Sequence, residues 1–318
     1  MPKLLACLLN WRTADMTIRA LEALVRECRT VPGSRICVVD NDSQDGSVDV
    51  IRQAVADRGW GDITDVVDSG YNGGFGYGNN VALRRGLASK EKFDLFYLLN
   101  SDAFPEVGSL KTLVDFMEEH PKVGIAGSRI CGLDGTVQQS AFRFPNVWNE
   151  IDRAAKLGVI SGVLAEKIVR FPSMPDTASP VDWVAGASMM LRHAVLEQIG
   201  LFDEAFFLYY EETDLCVRAK REGWEVYYVP TATVAHIGGA STGVRSDTRV
   251  MKPMPKYMFE SRRHYFLKNF GRPTLWAANL AYAFAGASFR VRRVLQNKED
   301  PERPREYIDW VLFNLKNP

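Results

Sequence analysis

Residues 71–80 read Tyr-Asn-Gly-Gly-Phe-Gly-Tyr-Gly-Asn-Asn and run on into Val81-Ala-Leu-Arg-Arg-Gly. Four glycines and three asparagines in ten residues predict a loop that opens a helix. Backbone without side chains can approach a ligand closely, and a helix N-terminus turns N–H groups toward anionic or polar oxygens. The spacing is neither that of a P-loop nor of a GxGxxG turn. Taken alone, the stretch fits an ordinary loop and cap as well as it fits a ligand site. Its surroundings decide between them.

Upstream lies a short apolar run, Ile63–Val67, and downstream another, Leu95–Leu99. The same alternation holds across the first half of the chain. Lys3–Leu9, Arg35–Val39 and Val123–Ser128 complete a set of five strand-like runs, apolar enough for burial on both faces. Helical patterns fill the gaps at Ala14–Cys28, Gly46–Asp57, Tyr77–Ala88 and Gly108–Glu119. That order predicts an α/β fold with a mixed, mostly parallel sheet flanked by helices. In such sheets ligands bind beyond the carboxyl ends of the strands. Polar clusters stand at those ends: Asn10-Trp11, Asp40-Asn41, the glycine loop, and Asn100-Ser101-Asp102.

Acidic and basic residues balance at 39 each, which argues against nucleic acid as a partner. Five scattered cysteines lack metal-ligand or CxxC spacing and read as reduced, mostly buried thiols of a cytoplasmic protein. The opening MPKLLACLLNW has no small-residue cleavage site and fits a buried strand better than a secretory signal. Residues 131–180, broken by Pro145, Pro172, Pro175 and Pro180, predict a mobile or variable excursion. A helix is expected over 213–222 and a strand over 225–229, and the last sixty or so residues form a helical extension. Within it, Thr274–Phe289 carries no charge and is flanked by Lys268, Arg272, Arg290, Arg292 and Arg293. Too short to span a bilayer, it fits either peripheral contact with an anionic inner membrane surface or packing on the catalytic domain or on a second subunit of a homodimer.

Taken in order, the motifs NWR at 10–12, VVDNDSQDGS at 38–47, NGGFGYGNN at 72–80, LLNSD at 98–102, WVAGASMMLRH at 183–193, FDEAFFLYYEETDLCVR at 202–218 and HIGGAS at 236–241 resemble glycosyltransferase family 2. These are inverting nucleotide-sugar transferases of the GT-A type, and the likeness is strongest to its bacterial rhamnosyltransferase-like subgroup. It covers about residues 3–245. The resemblance implies transfer of a sugar, such as L-rhamnose from dTDP-rhamnose, from a dTDP or UDP type donor to a saccharide or lipid-linked acceptor in surface-polysaccharide synthesis. It implies a nucleotide-binding half over 1–130, an acceptor and catalytic half over 131–250, and an extension over 251–318.

The family pattern places the base-binding Asp at Asp40, with Asn10, Trp11 and Asn41 beside base and ribose. Asn72, Gly74, Asn79, Asn100 and Ser101 complete the donor site. Either Ser43 or Asp45 caps the helix after Asp40, and Asn79 has the alternative of facing solvent from a helix. The same pattern puts Mg²⁺ or Mn²⁺ on Asp102, although Asn100 replaces the family's first acid, and makes His236 the companion ligand. Ser241 and Thr242 are diphosphate donors or a polar loop. Asp182, Trp183 and Gly186 line sugar and acceptor, while Arg192 binds phosphate or is solvated.

The catalytic base falls on Glu212, with Glu211 its rival, and Asp214 is one turn before an ion-pair partner, Arg218. A non-catalytic nucleotide-sugar or glycan-binding module is the alternative from another class. A sugar-nucleotide dehydrogenase would want GxGxxG after the first strand, where Asn10-Trp11-Arg12 stands instead.

Overall fold

The computed structural model describes residues 2–238, 253–297 and 305–317; Ser241 and Thr242 lie outside them. In chain order the elements are β1 (Leu4–Asn10), α1 (Ala14–Cys28), β2 (Arg35–Asp40), α2 (Ser47–Asp57), β3 (Thr64–Asp68), α3 (Phe75–Leu87), β4 (Leu95–Asn100), β5 (Ala103–Pro105), α4 (Ser109–Glu119) and β6 (Val123–Cys131). There follow β7 (Ala141–Phe142), α5 (Val147–Ala155), α6 (Gly158–Val163), β8 (Ser179–Pro180), β9 (Trp183–Val184), β10 (Ser188–Arg192), α7 (His193–Ile199), α8 (Glu211–Arg221), β11 (Glu225–His236), α9 (Lys256–Leu295) and α10 (Glu306–Lys316). They fall into two compact units. The first holds Met1–Ala141, Met174–Phe207 and Glu211–Ser246, and the second Phe142–Ser173, Leu208–Tyr210 and Asp247–Pro318.

The first unit is built on one sheet in the order β3-β2-β1-β4-β10-β6-β11-β5, with β8 beside β11. β1, β2, β3, β4, β6 and β11 run one way, and β5, β8 and β10 the other. The sheet is therefore mixed and mostly parallel. β1 pairs with β2 on one side and β4 on the other, both parallel, so their carboxyl ends share an edge. The order reverses between β1 and β4, which makes their tips the switch point where a crevice opens.

Alternation along β1 puts helices on both faces. Leu4, Ala6 and Leu8 join Leu21 and Leu24 of α1 and Leu113 of α4 in the main core. Leu5 and Leu9 point the other way, to α3. That helix lies close because Gly78 and Gly86 have no side chain: a Cβ at Gly78 would strike Leu9, and one at Gly86 would strike Phe96 and Leu5. These two glycines thus serve sheet packing, not the close approach to a ligand that the glycine-rich sequence suggests. β1, β2 and β4 are buried nearly throughout, as expected. β3 is not, because it is the sheet edge and has one face open.

The excursion after residue 131 is more regular than its prolines suggest. Asn146 caps α5, its Oδ1 accepting from the Asn149 N–H at 3.1 Å. In the second unit the α5 carboxylate of Glu150 meets Arg262 of α9 at 3.1 Å, and the Arg262 guanidinium lies 4.0 Å from the Trp310 ring of α10. Trp310 stacks on Tyr282 at 4.2 Å. α9 is two helices joined at Gly271, whose φ of 79° and ψ of 172° break the helix just before Pro273. No helix among the described residues is long and apolar enough to cross a membrane.

Candidate functional site

Everything in the site belongs to the first unit. At the switch point the side chains of β1 and β2 lock together. Asn10 is fully buried and donates through Nδ2 to Asp40. Asp40 also accepts from the Ser43 N–H at 2.8 Å and the Ser43 hydroxyl at 2.7 Å. Asn10 Oδ1 accepts from Thr17, and the Thr13 hydroxyl lies 3.0 Å from Ser101. Ser43 is therefore part of this clamp and not the cap of α2. Asp45 is not the cap either: Gly46 holds the N-cap position without a side-chain cap, and Asp45, one residue earlier, accepts from the Ser47 N–H at 3.0 Å. Only their closeness in the chain to Asn10 and Asp40 marks Thr13, Thr17 and Ser43 in the sequence. Trp11 is partly exposed, with the Arg12 guanidinium 5.2 Å from its ring.

From Asn41 the contacts run into the glycine loop. Asn41 Nδ2 donates to Asn72 Oδ1 and to the Gly74 carbonyl, both at 3.0 Å. Gly74 has φ of 90°, and the Phe207 carbonyl occupies the place of its missing Cβ. The Phe75 N–H donates to that same carbonyl at 3.0 Å. The loop is thereby tied to the segment leading into α8. Asn79 does not face solvent: it is buried, and its Nδ2 donates one turn back to the Phe75 carbonyl at 3.0 Å. Asn80, also buried, exchanges hydrogen bonds with Phe202.

Glu211 and Glu212 open α8, which starts two residues earlier than the sequence suggests. Just before them Tyr209 and Tyr210 hold φ of 69° and 72°, a left-handed pair without glycine. The Gly186 N–H donates to the Glu212 carboxylate, whose Oε2 is buried without a hydrogen-bond partner. Burial pushes the Glu212 carboxyl above its ordinary value, against the lowering effect of its own N–H and that of Gly186. A Cβ at Gly186 would meet the Phe75 ring, and the next residue, Ala187, accepts from the Asn100 N–H at 3.1 Å. Glu212, Gly186 and the tip of β4 are thus neighbours. Glu212 is half-buried, whereas Glu211 is buried and lies beside Gly76, where a Cβ would stand 3.7 Å from its own.

Beyond β4, Asp102 Oδ1 lies 3.1 Å from His236 Nε2, and Asp102 Oδ2 accepts from the Gly238 N–H at 3.1 Å. No cluster of three or more His, Cys, Asp or Glu around a common point exists among the described residues. The pair nevertheless fits a divalent ion that completes its shell with oxygens of a ligand. Two adjacent ligands of an octahedral ion at about 2.1 Å stand roughly 3 Å apart, close to the Asp102–His236 separation.

Other residues named from sequence lie elsewhere. Asp182 pairs with Lys220 at 2.6 Å. Lys220 stands eight residues after Glu212 on α8, about 12 Å along the helix, so Asp182 is fixed near the end of α8 far from Glu212. Trp183 is partly exposed in β9. Arg192 stands away from the strand tips, beside Leu95 at the amino end of β4, and is not simply solvated. It donates to the Val123 carbonyl at 2.9 Å and to the Met117 and His120 carbonyls that end α4, at the opposite edge of the sheet. Arg218 donates to Asp214 at 2.8 Å, as their spacing predicts, and braces the Ile199 and Leu201 carbonyls.

A family model described as "Glycosyltransferase like family 2" matches residues 2–250. The N-acetylglucosaminyl-diphospho-decaprenol L-rhamnosyltransferase of Mycobacterium tuberculosis is 31% identical over 158 residues, 47% of this chain and 49% of that protein. The low-salt glycan biosynthesis hexosyltransferase Agl10 of Haloferax volcanii is 30% identical over 171 residues, 52% of this chain and 50% of that one. The chain thus spans about half the length of the curated relatives it matches. Among solved structures, the mannosyltransferase PcManGT from Pyrobaculum calidifontis, in complex with GDP-Man and Mn²⁺, superposes with a TM-score of 0.57 at 15% identity, covering 99% of this chain and 80% of that one. The likeness to that structure establishes the GT-A type fold.

Proposed function

The chain belongs to the glycosyltransferase like family 2, and from that premise we propose that it is a metal-dependent inverting glycosyltransferase. It moves a sugar from a nucleoside-diphosphate donor to a saccharide or lipid-linked acceptor in cell-surface polysaccharide synthesis. L-Rhamnose carried on dTDP is the donor this reading favours, supported by the rhamnosyltransferase name of the mycobacterial relative. The observation that carries the reading is the Glu212 carboxylate: on a half-buried side chain, with one oxygen buried and unpartnered, beside Gly186 and the tip of β4.

In the reaction the acceptor hydroxyl oxygen attacks the anomeric carbon as the bond to the diphosphate breaks. Glu212 takes the hydroxyl proton. A carboxylate whose burial raises its proton affinity is a better base, and general-base assistance is worth about 10²–10⁴-fold. Asp40, Asn10, Trp11 and Asn41 bind base and ribose, and Asn72, Gly74, Asn79, Asn100 and Ser101 line the remaining donor. Gly186 and Trp183 shape the acceptor side, with Asp182 holding the start of that segment to α8. Asp102 and His236 would hold Mg²⁺ or Mn²⁺, which supplies charge neutralisation to the diphosphate leaving group when bound. The deciding experiment measures donor binding and transfer in Glu212→Gln. Retained nucleotide-sugar binding with transfer lost supports the assignment, and near-normal turnover in the folded variant overturns it.

A further inference from the structure

We propose that the outer faces of α9 and α10 lie in the headgroup region of an anionic lipid bilayer, parallel to its plane. The second half of α9 has two apolar faces. Leu275, Ala278, Tyr282, Gly286 and Phe289 are buried. On another side Trp276, Leu280, Phe284, Ala287, Val291 and Leu295 form a stripe at steps of three and four residues, and all are exposed. Exposure of its large side chains rises from 50% at Trp276 to 82% at Leu295. The stripe is about 28 Å long. On α10, Ile308, Leu312 and Leu315 repeat the pattern and are exposed as well. The two stripes adjoin, because Trp276 and Leu280 line one groove together with Val311 and Leu315.

A helix that covers one apolar face and leaves a second open needs an apolar neighbour. Charge identifies it. From Ser261 to Gln296 the sequence has seven Lys and Arg and no Asp or Glu, and six of these cations remain once Arg262, buried against Glu150, is set aside, while the whole chain is neutral. The rest of the chain therefore carries a balancing −7. Two copies placed face to face would bring these cations against their own kind, whereas phosphate headgroups complement them. An apolar stripe with flanking cations on a helix that cannot cross the bilayer is the pattern of interfacial binding.

The test is co-flotation of the full chain with vesicles of phosphatidylcholine, with and without phosphatidylglycerol, at low and high salt. Expected is binding at least about tenfold stronger to the anionic vesicles, weakened by salt, and lost in Leu280→Ser/Phe284→Ser. Arg272→Glu should reduce the preference for phosphatidylglycerol. Circular dichroism and binding of a nucleotide sugar, unchanged in these surface variants, separate this result from the fate of the proposed reaction. No binding to either vesicle overturns the proposal. So does a dimer in sedimentation that Phe284→Ser dissolves, since it would show a second copy on this face.

Discussion

Asn80 and Phe202 hydrogen-bond in both directions: Asn80 Nδ2 donates to the Phe202 carbonyl at 2.9 Å, and the Phe202 N–H donates to Asn80 Oδ1 at 3.0 Å. A side-chain amide on α3 thus replaces a backbone partner for a buried turn 122 residues away. It also donates to Glu204 at 2.8 Å. Asn80→Ala would leave both backbone groups of Phe202 buried and unpaired, at about 1–3 kcal/mol each. The expected result is a lower urea midpoint at unchanged slope, measured by equilibrium denaturation.

Gly74 and Gly46 both hold positive φ, 90° and 84°, but only Gly74 is crowded. Gly46 has nothing within 4 Å of its missing Cβ, so Gly46→Ala costs only the left-handed conformation, about 1–2 kcal/mol. Gly74→Ala must in addition displace the Phe207 carbonyl. Thermal melts should rank Gly74→Ala well below Gly46→Ala, and only Gly74→Ala should weaken binding of a nucleotide sugar. Equal losses would show that the close approach does not position the loop.

The raised carboxyl of Glu212 makes stability depend on pH. Between the ordinary value of 4.5 and the raised folded value, the native state keeps a proton that the unfolded chain has released. Stability therefore falls as pH rises through that window and stays lower above it. Glu212→Gln removes the dependence, so the variant should gain stability relative to the parent from acid toward neutral pH. Its melting temperature, followed from below pH 4.5 upward, checks the sign. In the parent, turnover should rise with pH along an acidic limb lying above the usual carboxylate range.

Asp102→Asn and His236→Ala should each weaken Mn²⁺ binding in the presence of a nucleoside diphosphate by about tenfold or more, since even outer partners of metal ligands are worth that much. Electron paramagnetic resonance of free Mn²⁺ reads this without turnover. Affinity equal to that of the parent in both variants would remove the ion from these residues.

All five cysteines are free and buried. Burial pushes the Cys37 thiol up to about 11 and Cys216 to about 12, so thiolate is scarce at neutral pH. Thiol reagents should label the native chain slowly and the urea-unfolded chain at once.

The strand tips were legible because β1, β2 and β4 are apolar runs with an abrupt polar end, and because parallel order forces those ends to one edge. β10 was not legible as an antiparallel strand: Met189-Met190-Leu191 is apolar on both faces, and such a run carries no sign of direction. The glycines of 73–78 were legible as a place of close approach, but sequence cannot say what approaches. For Gly74 it is the Phe207 carbonyl and for Gly78 it is Leu9. The partners of Arg192 and Asp182 are not legible, for a related reason. Long or charged side chains near a motif bind whatever acceptor or donor the fold brings, here the end of α4 and Lys220.

The left-handed Tyr209 and Tyr210 immediately precede the two carboxylates of α8. Each such residue costs about 1–2 kcal/mol, so this bend persists only while its surroundings hold it. A glycine at either position would relax the backbone and let the start of α8 wander. Selection for thermal robustness and selection for turnover would then pull these two tyrosines in opposite directions.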